Sequence, residues 1–111
     1  MQTLEEAGQF ELTWLVACTQ RLLGEIYAAQ GRYKQAEQNF ELAMQTFRAS
    51  GMQLDYARTL YQYSEMLMMQ GIAGKEEQAR APDYLQEGRQ IFTECKATLD
   101  VQLVEHAFAR L

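Results

Sequence analysis

The apolar residues of this chain recur at steps of three and four rather than two along most of its 111 residues. Leu12, Leu15, Leu22, Leu23, Ile26 and Tyr27 form one stripe, and Tyr33, Ala36, Phe40, Ala43 and Phe47 form a second. Leu54, Ala57, Leu60, Tyr61, Ser64 and Leu67 continue the pattern. Leu85, Gly88, Ile91, Phe92 and Cys95 follow, then Leu99, Leu103, Val104, Phe108 and Leu111. A helix of 3.6 residues per turn gathers such positions on one face, so the spacing predicts five amphipathic helices and an all-α fold. Seven Gly and one Pro are too few for a turn-rich β protein or a low-complexity chain. At this length an apolar content of 48% supplies a modest core without disulfides or metal.

Glycine punctuates the stripes. Gly8, Gly31, Gly51 and the pair Gly71 and Gly74 stand between them, where a helix end favours a residue free to take positive φ. Pro82 falls near the start of the fourth helix, where its missing N–H costs little. Connections of a few residues force successive helices to run antiparallel, giving a string of hairpins. Aligning Gly31 with Gly71 lays Ala17 on Ala57, Leu23-Gly24 on Tyr63-Ser64 and Tyr27 on Leu67, a step of 40 residues. After five further residues, Ala36, Phe40, Ala43, Phe47, Leu54 and Asp55 fall on Ala81, Leu85, Gly88, Phe92, Leu99 and Asp100. The chain thus reads as about two and a half copies of one unit. The expected divisions are 1–8, the tail of a preceding helix; 9–50, a first hairpin; 51–96, a second hairpin with an insertion near 72–81; and 97–111, the first helix of an incomplete third repeat. Gly24 and Gly88 fall inside helices, where Gly costs about 1 kcal/mol relative to Ala, so close helix packing is expected at both.

Leu23-Gly24-x-x-Tyr27 followed by Gly31-x-Tyr33-x-x-Ala36-x-x-x-Phe40-x-x-Ala43 resembles the tetratricopeptide repeat, with every gap at that family's spacing. The second copy departs from the pattern, with Ser64 for Gly and Leu67 for Tyr. The unit length and the Gly51-x-x-Leu54-Asp55 linker resemble the longer variant found in bacterial signalling ATPases and large transcriptional regulators. The resemblance implies a short solenoid of antiparallel hairpins and a non-catalytic scaffold that binds a protein, a peptide or a neighbouring domain of its own chain. A ligand-sensing segment of a signalling protein is the alternative.

Register in such a solenoid turns the first helix of each hairpin toward the groove. The nominated groove residues are Arg21, Glu25 and Ala28, then Arg58, Tyr61, Gln62, Glu65, Met68 and Met69, then Leu103, His106 and Arg110. Glu25 and Glu65 occupy equivalent positions and would favour a basic partner. Arg21 stands four residues before Glu25 and could simply pair with it. Met66 is expected in the core, and Trp14 over the exposed side of the first hairpin or against an upstream repeat. Leu103, Val104 and Phe108 on the last helix are the candidate surface for self-association into a homodimer.

Catalysis and cofactors find no support. The net charge of −5 disfavours nucleic acid and anionic membranes, and no apolar run approaches the length of a membrane span. Cys18 and Cys95 are isolated from each other and from His106, and no phosphate loop or metal-ligand spacing occurs. No enzyme activity, cofactor or metal is expected. Both cysteines read as small packing residues in a reducing, cytoplasmic setting.

Overall fold

A computed structural model describes residues 4–69 and 75–111. The described chain is helical: α1 (Leu4–Ala29), α2 (Tyr33–Ala49), α3 (Gln53–Met68), α4 (Lys75–Ala79), α5 (Ala81–Glu94) and α6 (Thr98–Ala109). Five are the helices expected from periodicity, and α4 is a single extra turn within the insertion. α1 packs on α2, α2 on α3, α3 on α5 and α5 on α6, so the chain is a row of antiparallel hairpins.

One capping device ends three of the helices. The carbonyl of an aromatic residue accepts the N–H five residues on: Tyr27 from Arg32 at 2.8 Å, Phe47 from Met52 at 2.9 Å and Phe92 from Ala97 at 2.8 Å. The residue before each donor takes a left-handed conformation, at φ +78° for Gly31, +71° for Gly51 and +58° for Lys96. This six-to-one bond is the Schellman closure, which satisfies carbonyls that a helix end leaves bare. Gly31 and Gly51 act as the spacing predicts, whereas the third reversal uses Lys96, which no glycine announces. Gly71 and Gly74 lie outside the described residues. The break expected at Gly8 is absent, because α1 runs through it without interruption and no neighbouring element approaches within 4 Å of where its side chain would be. A lone Gly weakens a helix without stopping it. Pro82 lies in the first turn of α5.

The core is built from the small, aromatic and aliphatic residues of the repeat. Ala17, Ala43, Phe47, Met52, Tyr56 and Leu60 pack where α1, α2 and α3 meet. Ala36, Phe40, Tyr63, Met66, Leu67 and Ala81 pack across α2, α3 and α5, and Ala57, Leu85, Phe92, Val104 and Ala107 across α3, α5 and α6. Tyr63 links the layers, meeting the Phe40 ring edge-on at 5.5 Å and the Tyr84 ring at 5.4 Å. Between α3 and α5 the Tyr56 hydroxyl donates to Glu87 at 2.8 Å. Burial and then that carboxylate push the Tyr56 phenol up to about 12.

The stripe on α1 does not do what its periodicity suggests. Leu12 is 62% exposed, Leu15 54%, Leu22 54% and Ile26 42%, because α1 packs on α2 through the opposite side, around Ala17 and Gly24. Periodicity finds a helix face; it does not say which of two faces meets the neighbour.

Candidate functional site

An open groove of about 450 Å³ lies between α1 and α3. Its walls are Glu25, Ala28 and Ala29 on α1 and Tyr61, Gln62, Glu65 and Met66 on α3, with Met69 just beyond α3, and Phe40 of α2 reaches it from below. Of the residues nominated by register, the structure therefore brings together Glu25, Ala28, Tyr61, Gln62, Glu65 and Met69. Ala29, Phe40 and Met66 join them. The last two are counted as core by spacing, yet a large side chain can be buried and still present an edge to a groove.

The remaining nominees lie elsewhere. Arg21 turns from Glu25 to Asp55, at 3.6 Å, and stacks over the Phe47 ring at 5.5 Å. Arg58 pairs with Asp100 at 3.5 Å. Asp55 and Asp100, equivalent in the repeat, sit in the first turns of α3 and α6, where a carboxylate suits the positive end of the helix and an Arg from the preceding unit can reach it. Met68 is half-buried against the core, correcting its assignment to the groove. His106 is exposed on α6 and does not line the groove. Val104 is fully buried and so forms no outer surface, and Phe108 is half-buried under Arg89, whose guanidinium lies 4.8 Å from the ring. Leu99 and Leu103 are the bare aliphatics of α6.

Electrostatics divide the two groove carboxylates. Arg110, just past α6, donates to both oxygens of Glu65, its Nη1 at 3.5 Å, and Tyr61 bonds to the same carboxylate. Partial burial pushes Glu65 upward, but these hydrogen bonds outweigh it and hold the carboxyl below its usual range. Burial, followed by the bond to Glu65, raises the Tyr61 phenol. Among the described residues nothing bonds to Glu25, which is exposed on the opposite wall. The groove therefore offers one neutralised acid and one free acid above an apolar floor.

A second, mostly apolar cleft of about 500 Å³ is bounded by Phe10, Glu11, Trp14, Met52, Gln53, Leu54, Asp55 and Cys95. Trp14 is partly exposed at this cleft, and its indole N–H donates to Asp55 of α3 at 3.2 Å. Cys95 is exposed at this cleft rather than packed, whereas Cys18 is half-buried and its thiol is pushed up by burial. Residues from distant parts of the chain make this cleft, and no local spacing signals it. Among the described residues no group of three His, Cys, Asp or Glu side chains could hold a metal, and no helix is long and apolar enough to cross a membrane.

The family model for the tetratricopeptide repeat matches residues 15–94, spanning both hairpins. The chain belongs to the tetratricopeptide repeat family. No curated protein and no solved structure matches it. Tetratricopeptide repeats are in general non-catalytic modules that bind protein or peptide partners, so the groove of this tetratricopeptide chain is to be judged by what it could hold rather than by what it could react with.

Proposed function

We propose that the groove between α1 and α3 binds an extended segment or helix of a partner polypeptide that carries a Lys or Arg beside an apolar side chain. One observation carries this reading: the unpaired Glu25 faces a groove whose opposite acid, Glu65, is already neutralised by Arg110. The apolar residue enters between Ala28, Phe40 and Met69, where burial supplies affinity, and the cation meets Glu25, which supplies selectivity and speeds association. Methionine suits this role because its flexible thioether adapts to different partners. Two unpaired thiols, Cys18 and Cys95, favour a cytoplasmic setting for the encounter.

Selection of peptides from a random library against the full chain tests the reading. Basic–apolar sequences are expected to be enriched, with Glu25→Lys shifting the selected charge toward acidic residues. Met69→Glu is expected to weaken capture by about tenfold or more, through the unpaired charge it adds to an apolar floor. Peptides that bind the wild type and both variants equally would show that the groove is not the site.

A further inference from the structure

Leu12, Leu15, Val16, Thr19, Leu22 and Ile26 form one continuous exposed stripe, about 21 Å long at 1.5 Å per residue, with half-buried Leu23 at its margin. Roughly half of each aliphatic side chain is open to water, which gives on the order of 400 Å² of apolar surface, the size of the largest patch on a typical monomer, which is often functional. No charged residue interrupts it. Its single polar group, the Thr19 hydroxyl, is already bonded to the Leu15 carbonyl at 2.8 Å, so covering the stripe strands no donor.

The pattern also names its occupant. Aliphatic residues stand three, four and seven positions to either side of Thr19: Val16 with Leu22, Leu15 with Leu23, and Leu12 with Ile26. In an antiparallel helix pair related by a two-fold axis, the residue at a given distance before the centre meets the residue at the same distance after it. A stripe that reads the same in both directions is therefore complementary to itself, and small Thr19 sits where the two helices would approach most closely. Repetition at three and four also matches the shallow crossing of antiparallel helices.

We infer that α1 forms a two-fold symmetric dimer with α1 of a second copy of this chain, crossing at Thr19. One edge opposes the union. Exposed Glu11 and Glu25 lie on the same flank of α1, and the two-fold axis brings Glu11 of one copy toward Glu25 of the other. Salt screens this repulsion, so the dimer should tighten as ionic strength rises from about 0.05 M to about 0.5 M.

Light scattering across a concentration series is the first test, with a mass rising from 12.8 kDa toward twice that value expected at high micromolar concentration. Leu22→Glu should raise the dissociation constant by more than about tenfold, because each dimer would bury two unpaired carboxylates, while the helical circular dichroism stays unchanged. In a Cys18→Ser, Cys95→Ser background, Thr19→Cys should oxidise to a disulfide-linked dimer, and Leu42→Cys, exposed on α2, should not. A mass fixed at 12.8 kDa at every concentration, a dimer indifferent to Leu22→Glu, or no cross-link through position 19 would overturn the inference.

Discussion

Gly24 and Gly88 look alike in the sequence, and the structure separates them. A Cβ on Gly24 would sit 3.0 Å from the Phe40 ring, which is itself held by Ala36, Tyr63 and Met66 and cannot swing away. At Gly88 the same atom would lie 3.6 Å from the Ala57 carbonyl and 4.0 Å from Leu60, ordinary contact, so close approach is required at one position only. Ser64, the counterpart of Gly24, is buried with its hydroxyl donating to the Leu60 carbonyl at 2.7 Å, and the counterpart of Phe40 is the smaller, equally buried Leu85. The equivalent positions of the second hairpin thus carry Ser and Leu in place of Gly and Phe. Gly88→Ala should therefore stabilise the protein by up to about 1 kcal/mol, through helix propensity and reduced freedom of the unfolded chain. Gly24→Ala should destabilise it by roughly 1–2 kcal/mol, since displacing a buried ring outweighs that gain. Thermal melts of the two variants should move in opposite directions, each by several degrees for a domain of this size.

At the scale of elements, the helix ends carry most of the lesson. α1, α2 and α5 close with the same bond from an aromatic carbonyl, but the third closure places Lys96 at φ +58°. A residue with a side chain costs about 1 kcal/mol or more in that conformation, where Gly is at ease. Lys96→Gly is expected to raise stability by roughly 0.5–1 kcal/mol, read as a rise in urea midpoint with unchanged slope. α6 is tied back by two ion pairs, Arg58–Asp100 and Arg110–Glu65. Glu65 has its carboxyl lowered on folding, so the unfolded chain takes up its proton first. The stability it contributes is present at neutral pH and is lost as pH falls through the folded value. The melting-temperature advantage of wild type over Glu65→Gln should therefore shrink between about pH 5 and about pH 3. A gap that stays constant with pH would mean that Arg110 does not hold the ionised form.

The whole molecule is a slab of 48 × 31 × 19 Å, thin because each helix layer touches only its neighbours. A thin solenoid buries less apolar surface than a globule of equal length, and its two broad faces and two ends stay available. The groove between α1 and α3 uses one face, and the bare stripe of α1 uses one end. The groove joins residues that different layers hold in place, whereas the stripe lies wholly on α1 and meets a second molecule. They also separate experimentally: peptide selection reads the groove, and mass against concentration reads the stripe.

Spacing alone determined much of this protein. Steps of three and four gave five helices, Gly31 and Gly51 gave two reversals, and the small and large apolar positions Ala17, Ala36, Phe40, Ala43, Ala57 and Leu85 gave the contacts between helices. These features are local or repeat at fixed intervals, so a linear pattern can record them. The partner of Arg21, the place of Met68 and the orientation of the α1 stripe were decided by tertiary structure. A helix such as α1 carries two faces able to pack, one small and one aliphatic. Which face turns inward depends on how closely α2 can approach, and that distance is set by Gly24 against Phe40, residues sixteen apart in sequence and in contact only once the hairpin has closed.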